Sequence, residues 1–324
     1  MKFLLISFGI LVVFTMIILL ISYICFRMVF FVPRKNENPC DDIPLPFGKI
    51  YEPYHQLMSK WILEARGFKS EDYYIQSFDG LKLHAKYFEY EPGAVTEIMF
   101  HGYRGSAERD LSGGIQRCFA LGRNVLLVDQ RTSCGSEGSV ISFGINEHRD
   151  CLAWVDFAVK QFGPDVKLVL TGISMGASTV LMAAGKPLPE NVIGVLADCG
   201  FSSPKKIIKK CAKDLKIPAD FIYPFIKLGA KIYGHFDLEE YTPLEAMKTC
   251  TLPVIFFHGE DDSFVPCDMS RECFAACTSP KRIVTVPKAG HGLVYLVDNA
   301  GYFNAVTDFF TKNGIPTKVV KKPL

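Results

Sequence analysis

Short apolar segments alternate with helix-length segments along most of this 324-residue chain, and this alternation restricts its fold more than any other feature. The apolar segments are 98–100, 125–128, 168–170, 192–196, 254–257 and 283–286. The segments with helical spacing of apolar residues are 111–121, 147–161, 177–184, 269–276 and 294–310. Nearly unbroken apolar strands are typical of parallel sheets that are covered on both faces. The alternation therefore predicts an α/β fold with a mostly parallel, doubly covered sheet.

Two further segments, 73–78 and 81–90, precede this pattern and alternate apolar with polar residues. Asp79-Gly80 joins them, and this dipeptide between two strands is a strong signal for a two-residue hairpin. We expect an antiparallel hairpin at one edge of the sheet.

The N-terminal segment from Phe3 to Phe26 contains no charged residue. Roughly 20 such residues span the hydrocarbon core of a bilayer as a helix. A cleaved signal peptide would have a shorter apolar core followed by small residues at its cleavage site, and neither feature is present. The segment therefore favours a retained, single-pass anchor in the cell membrane. Basic residues follow the segment, but long domains are translocated largely regardless of flanking charge, so the side of the membrane on which the rest of the chain lies stays open.

The remaining chain divides into three parts by composition. After the anchor (1–32), residues 33–66 are predicted to form a linker rich in Pro and Asn, followed by a short helix around Tyr54–Ala65. Residues 67–324 carry the α/β pattern. Within them, 201–246 is too long for a single crossover helix, and we expect either a lid over a site or two ordinary surface helices with a solvated lysine face.

Composition excludes some partners. The chain has 36 basic and 34 acidic residues and no basic stripe with interleaved aromatics, so nucleic acid is not an expected partner. Its eleven cysteines form no C-x-x-C pair, and a domain of this size needs no disulfides, which favours buried free thiols. We find neither H-E-x-x-H nor a cysteine–histidine cluster with ligand spacing, so no metal and no cofactor are expected.

Ser174 lies in Gly172-Ile-Ser-Met-Gly176, between a predicted strand and a helix of small residues. A sharp strand-to-helix turn leaves little room beside its central residue, and glycine two positions before and after provides that room. The helix N-terminus then offers N–H donors and the positive end of the helix dipole to a developing oxyanion. This context predicts that Ser174 is a nucleophile.

A serine nucleophile needs a base, and in this kind of turn the partners follow in the order Ser, Asp, His. Among seven histidines, His291 is the candidate base, because it lies in a glycine-lined loop after the last strand. His258 ends a strand and is interpreted as shaping its own loop.

The acid should follow the penultimate strand, 254–257. Glu260, Asp261 and Asp262 all lie there, and Asp198, at the end of the preceding strand, is a more remote alternative. The order of the elements alone does not choose among them.

One oxyanion donor should come from the loop after the first central parallel strand. That loop contains Gly102, Tyr103 and Arg104, and Gly102 would allow the backbone to approach a substrate closely. We predict an oxyanion hole formed by the backbone amides of Tyr103 and Met175. Arg104 could meet an anionic group of a substrate.

Together these motifs resemble the α/β-hydrolase superfamily, and within it bacterial membrane-anchored esterases and prolyl-oligopeptidase-like hydrolases. The matching stretches are FHGYRGS (100–106), DQRTSCGSEG (129–138), GISMGAS (172–178), HGEDDSFVP (258–266) and AGHG (289–292). They cover roughly residues 70–312 in the order of the family. In such relatives the pattern H-G-x-x-D-x-x-V-P carries the acid, so the resemblance favours Asp262. Relatives often have His-Gly where Ser133-Cys134 stands here.

The resemblance implies the α/β-hydrolase fold and hydrolysis of a carboxylic ester, thioester or amide through an acyl-serine intermediate. The expected catalytic residues are Ser174, Asp262 and His291, and the expected substrate is a small acyl ester or a peptide. Acyl transfer or peptide cleavage with the same triad is an alternative. A membrane-attached binding protein that keeps the fold without turnover is a third hypothesis.

Overall fold

A single eight-stranded sheet organises the protein in the computed structural model, which describes residues 2–33 and 43–320. The strands are β1 (Glu71–Gln76), β2 (Lys82–Phe88), β3 (Thr96–Phe100), β4 (Asn124–Asp129), β5 (Leu168–Ile173), β6 (Val192–Asp198), β7 (Val254–Gly259) and β8 (Lys281–Val286). The helices are α1 (Lys2–Val29), α2 (His55–Gly67), α3 (Ala107–Ala120), α4 (Glu147–Phe162), α5 (Met175–Ala184), α6 (Pro204–Asp214), α7 (Ala219–Tyr233), α8 (Pro243–Met247), α9 (Cys267–Ala276), α10 (Val294–Val297) and α11 (Asn299–Lys312).

The strand order is β1-β2-β4-β3-β5-β6-β7-β8. β1 pairs with β2 and β2 with β4 in antiparallel fashion, and every other neighbouring pair is parallel. The hairpin loop is Phe78-Asp79-Gly80, one residue longer than the expected two-residue turn, because the Ser77 amide donates to the Leu81 carbonyl at 2.8 Å. Gly80 adopts φ +87° in this loop, a value that a residue with a side chain rarely takes. The predicted α/β-hydrolase fold, with its antiparallel edge, is confirmed.

Apolar side chains on both faces of the sheet explain why its strands are so uniformly apolar. On β3, Ile98 and Phe100 join the core under α4 and α5, whereas Met99 points to the opposite core under α3. Because successive side chains of a strand alternate between faces, a strand covered on both sides needs apolar residues at every position. The carboxyl ends of the parallel strands therefore form one edge at which loop residues can meet.

The predicted helical segment 294–310 is two helices rather than one. Asp298 adopts φ −132° and ψ +69°, and its Oδ1 accepts a hydrogen bond from the Gly301 amide at 2.9 Å. An aspartate at this position caps the start of α11, so the apolar periodicity continues while the backbone turns.

The N-terminal helix α1 is the one described helix that is long and apolar enough to cross a membrane. Its first two-thirds are exposed, but Cys25 and Phe26 near its end are buried against α7. Beyond the helix, Phe30 is buried and the chain pairs with residues 139–141 through the Val32 amide and the Ser139 carbonyl, 2.8 Å apart. The end of α1 is thus packed into the same body as the sheet.

Part of the predicted linker, residues 34–42, lies outside the described residues. The short helix expected around Tyr54–Ala65 is present as α2 and packs on α3 with Trp61 and Ile62 buried.

Segment 201–246 forms helices α6, α7 and α8. α6 buries Ile207, Ile208 and Ala212, while its lysines lie on the other side and pair with acids such as Glu239 and Glu272. The segment therefore has the lysine face of an ordinary surface helix, and its apolar face is turned toward α1 and the end of the sheet.

Most cysteines in the described part of the chain are buried, and no disulfide joins any two of them. Their packing agrees with the interpretation of the cysteines as small apolar core residues.

Candidate active site

Ser174 lies in the turn between β5 and α5 with φ +56° and ψ −120°. A positive φ at a residue with a side chain is a strained conformation that the surrounding structure must enforce. A hydrogen bond from the Ser174 amide to the Asp198 carbonyl, 2.8 Å long, holds this turn against β6. The side chain is thereby presented at the carboxyl edge of the sheet.

The two glycines of this turn are required by close backbone contacts. A Cβ atom at Gly172 would lie 2.2 Å from the Gly176 carbonyl oxygen, and one at Gly176 would lie 2.0 Å from the Phe100 carbonyl oxygen. Neither backbone oxygen can move without disrupting the sheet or the helix. The Gly-x-Ser-x-Gly pattern is therefore a packing requirement of the turn that holds Ser174 at the end of β5.

His291 contacts both other members of the predicted triad. Its Nε2 lies 2.8 Å from Ser174 Oγ, and its Nδ1 lies 2.7 Å from Asp262 Oδ2. This arrangement suits an imidazole that accepts the serine proton at Nε2 while its Nδ1–H donates to a carboxylate. The structure brings Ser174, His291 and Asp262 together from three separate loops.

The choice among the acids follows from where their side chains lie. Glu260 and Asp261 are exposed, and Glu260 accepts a hydrogen bond from Thr285. Asp262 is buried, and its other oxygen, Oδ1, accepts hydrogen bonds from the amides of Phe264 and Val265. Of the acids weighed from the sequence, Asp262 is the one hydrogen-bonded to His291.

The environment of Asp262 keeps its carboxyl group ionised. Burial opposes ionisation, but hydrogen bonds from His258 and His291 outweigh it and hold the pKa of Asp262 well below its usual range. His258 Nε2 lies 3.2 Å from Asp262 Oδ2 and 2.8 Å from the Val265 carbonyl, and its Nδ1 contacts Ser270. His258 thus shapes the acid loop, as the sequence suggested.

The loop after β3 reaches the nucleophile. A Cβ atom at Gly102 would lie 3.4 Å from Ser174 Cβ, so the backbone before Tyr103 runs close beside the serine. The Gly102 amide donates to Asp110 Oδ2 at 3.0 Å, which fixes the loop to α3. Met175, the other predicted donor, is the first residue of α5 and borders the same space as Tyr103 and Ser174.

His101 holds this loop in place through hydrogen bonds at both of its ring nitrogens. The Gln130 amide donates to His101 Nε2 at 3.0 Å, so Nε2 is unprotonated and Nδ1–H donates to the Gly102 carbonyl at 2.8 Å. Burial lowers the pKa of His101, in keeping with the neutral ring that this pattern requires.

Tyr103 and Arg104 connect the loop to the N-terminal helix. The Tyr103 hydroxyl donates to the Val29 carbonyl at 2.6 Å, and Arg104 Nη2 donates to the carbonyls of Met28 at 2.9 Å and Phe31 at 3.1 Å. These carbonyls lie at the end of α1, where intrahelical donors are lacking. Arg104 therefore caps α1, and its predicted contact with an anionic substrate group is not the interaction that the structure displays.

The stretch 129–138 supports the same loop through buried polar contacts. Arg131 pairs with Asp150 at 2.7 Å and with Asp79 at 2.9 Å, and Ser133 Oγ donates to the Gly105 carbonyl at 2.9 Å. Ser133, one of the two residues that depart from the pattern in relatives, thus joins this stretch to the loop of Tyr103.

Two residues around the site, Asp110 and Tyr51, were not identified from the sequence. Asp110 holds the Gly102 amide, and Tyr51 donates its hydroxyl to the His291 carbonyl at 3.1 Å. Asp198 is buried beside the turn of Ser174, and burial raises its pKa to about 6. Asp198 was weighed as an acid for the triad, but no local pattern marks Asp110 or Tyr51, since each depends on a long-range contact.

Cys199, Asp262 and His291 offer three metal-ligand atoms within 4.8 Å of one another. The Asp262 and His291 atoms already contact each other, and burial raises the pKa of the Cys199 thiol well above its usual value. A metal ligand would have to be the thiolate, which this environment disfavours. The residues present do not fit a metal site.

The doubly covered sheet and the serine at its carboxyl edge define an α/β-hydrolase of the serine hydrolase class. Residues 142–314 match the model of the prolyl oligopeptidase family. Because this match covers more than half of the chain, the protein belongs to that family.

Relatives over most of the chain come from bacteria and yeast. YqkD of Bacillus subtilis is 22% identical over 313 residues, which cover 95% of this chain and 97% of YqkD. Protein bem46 of Schizosaccharomyces pombe is 27% identical over 227 residues, covering 68% of this chain and 69% of bem46.

Solved structures share the fold at low identity. The Pyrococcus furiosus esterase Pf2001 superimposes with a TM-score of 0.62 and 21% identity, covering 77% of this chain and 94% of the esterase. The Pyrococcus horikoshii acylaminoacyl peptidase gives a TM-score of 0.55 and 16% identity, covering 81% of this chain and 44% of the peptidase. At these identities the likeness describes the fold.

Proposed function

We propose that the protein hydrolyses a carboxylic ester, or a related thioester or amide, through an acyl-serine intermediate. The observation that carries the proposal is the contact chain from Ser174 Oγ to His291 Nε2 at 2.8 Å and from His291 Nδ1 to Asp262 at 2.7 Å. A hydroxyl hydrogen-bonded to an imidazole that is oriented by a buried carboxylate is the arrangement that activates serine for attack.

In this mechanism Ser174 Oγ attacks the acyl carbon while His291 Nε2 takes its proton. The tetrahedral oxyanion is held by the backbone amides of Met175 and Tyr103, and the start of α5 adds the positive end of its dipole. Collapse releases the alcohol, which receives the proton from His291, and leaves acyl-Ser174. Water, deprotonated by His291, then attacks the acyl group and frees the acid and the serine. Asp262 stays ionised and stabilises the imidazolium in both steps.

A fluorophosphonate probe tests the nucleophile directly. It should label the full-length wild-type protein and not Ser174→Ala, and that substitution should lower the hydrolysis of p-nitrophenyl butyrate by a factor on the order of 10⁴ or more. Ser263→Ala is the matched control, because it removes an exposed serine near the site and leaves Ser174 in place, so the probe should still label that variant. Labelling that survives in Ser174→Ala would refute the proposal.

Peptide cleavage with the same residues is the second candidate, and membership of the prolyl oligopeptidase family favours it. Comparing p-nitrophenyl esters with p-nitroanilide peptides on the same preparation separates the two. If the peptides are cleaved with higher kcat/KM than any ester, the hypothesis of a peptidase replaces that of an esterase.

We also propose that α1 is a retained membrane anchor and that residues 67–324 form the catalytic domain. The packing of Phe26 and Phe30 supports retention, because cleavage behind the helix would remove a buried part of the folded body. Detection of the intact N-terminus by mass spectrometry of the membrane fraction tests this, and a mature chain that begins after residue 30 would contradict it.

A further inference from the structure

A cavity of about 430 Å³ opens beside Ser174, and its lining is almost wholly apolar. Ser174 and Met175 line it together with Phe143 and Phe201, all four of them buried, and α6 and α7 contribute further aliphatic side chains such as Ile207. Among the described residues that line it, no side chain carries a charge. The Tyr103 hydroxyl, one of its few polar groups, is already bonded to Val29.

This lining selects for hydrocarbon. A peptide or a polar acyl group would lose its hydrogen bonds to water on entering such a cavity and would find few replacements, which is costly. An alkyl chain gains free energy with each methylene that it buries. The cavity leads to the proposed nucleophile, so it lies where the acyl part of a substrate would sit.

The N-terminal helix forms one wall of this cavity. Ile21, Ile24, Cys25, Met28 and Val29 of α1 line it, opposite residues of α6 and α7. α1 approaches α7 closely at Gly229, where an added Cβ atom would lie 2.4 Å from the Ser22 carbonyl oxygen. The acyl cavity is therefore incomplete without the segment that we propose as the membrane anchor.

With α1 in the bilayer as proposed, its length places the mouth of the cavity at the bilayer surface. The stretch of α1 before its docked part, residues 2–20, is about 28 Å long at ~1.5 Å per residue, close to the ~30 Å of a hydrocarbon core. Residues from 21 onward, which line the cavity, would then lie at the edge of that core. The mouth is apolar there, since Met28 is 64% and Leu215 69% exposed although both also line the cavity.

We propose that this cavity binds the hydrocarbon chain of a long-chain acyl ester resident in the membrane. The chain enters between α1 and the α6–α7 pair, so that its ester group reaches Ser174. Hydrolysis adds water across the ester and yields the long-chain acid and the alcohol. The inference rests on the proposed serine hydrolase function and names its substrate class.

A chain-length series tests the cavity. With the full-length protein in detergent and p-nitrophenyl esters kept monomeric, kcat/KM should rise about fourfold per added methylene from butyrate until the cavity is filled. A flat series, or one that falls beyond butyrate, would overturn the acyl cavity while leaving the serine hydrolase proposal intact. No hydrolysis of any ester together with no fluorophosphonate labelling would instead refute the proposed function itself.

A matched pair of substitutions tests the wall formed by α1. Ile24 and Ile17 lie on the same helix and are both 49% exposed, but Ile24 lines the cavity and Ile17 does not. Ile24→Trp should lower kcat/KM for the dodecanoate ester at least tenfold and that for the butyrate ester by a much smaller factor, whereas Ile17→Trp should change neither. Equal behaviour of the two variants toward both esters would show that α1 does not bound the acyl site.

Reconstitution separates a membrane source of the ester from a dissolved one. The full-length protein in vesicles of dioleoyl phosphatidylcholine should release oleic acid, and Ser174→Ala should not. Hydrolysis of dissolved dodecanoate without release of oleic acid would mean that substrate enters from water, which would overturn entry from the bilayer.

Discussion

Asp198 is a carboxyl group that folding removes from water without full compensation. It is 5% exposed, and within the described part of the chain its Oδ1 atom has no hydrogen-bond partner. Burial raises its pKa to about 6, although the electrostatic interaction with His258 lowers the pKa and so partly opposes this rise. The folded protein therefore holds this proton more tightly than the unfolded chain, and the corresponding stability is complete below pH ~4 and lost as the pH rises through about 6.

Asp198→Asn should therefore stabilise the protein at pH 8 and not at pH 4. Asparagine mimics the neutral acid, and the pKa difference corresponds to at most about 3 kcal/mol of unfolding free energy. Thermal unfolding of wild type and variant at both pH values measures it. Asp156→Asn, at an exposed position of α4, is the control and should change little at either pH. Equal midpoints for Asp198→Asn and wild type at pH 8 would contradict the argument.

At the level of single residues, the sequence predicted those members of the site that a local motif or their place after a strand marks. Ser174 was identified from its flanking glycines, and His291 from its place after the last strand. Asp262 was chosen by resemblance, because three neighbouring acids follow β7 and their side-chain directions depend on how that loop folds. Tyr51 was not predictable, since its contact with His291 spans 240 positions of the chain.

Among the elements, α1 is the one whose packing in the structure departs most from what the sequence predicted. Its apolar composition predicted a membrane span, but a helix without a polar face gives no sign of which side will pack on protein. The signal lies in its partner, α7, where Gly229 and Ala230 are small residues at the contact. Small residues allow two helix backbones to approach closely.

Gly229→Ala should loosen α1 from α7. The new methyl group would meet the Ser22 carbonyl oxygen, a backbone atom that cannot turn aside, so the helices must separate. We expect faster hydrogen exchange over residues 21–32 and a lower kcat/KM for long-chain esters. Gly9→Ala is the control, because Gly9 also lies inside a helix and an added Cβ there has nothing within 4 Å. Unchanged exchange in Gly229→Ala would argue against close docking.

Across the whole molecule, a buried cluster of charges joins segments that are distant in sequence. Glu97 on β3 is fully buried and pairs with Arg117 of α3 and with Arg123, each at 2.5 Å. Thr171 of β5 donates to the same carboxylate at 2.7 Å, and Arg123 also contacts Thr317 near the C-terminus. Alternating β and α patterns predicted the sheet, but not this cluster, because a single acid in a strand resembles a solvent-facing residue.

Glu97→Gln should destabilise the folded protein by about 3–5 kcal/mol, because it leaves Arg117 and Arg123 buried without their counter-charge. Burial opposes the ionisation of Glu97, but the two guanidinium groups outweigh it and hold its pKa well below its usual range. Its contribution is thus present above pH ~4.3 and is lost only as the pH falls through that lowered pKa, so the destabilisation should be as large at pH 5.5 as at pH 7.5. Denaturant unfolding at both pH values measures it.

Glu64→Gln is the control variant. It removes one partner of the exposed Lys60–Glu64 pair and should cost less than about 1 kcal/mol. A similar small loss for Glu97→Gln would show that the cluster does not hold these segments together.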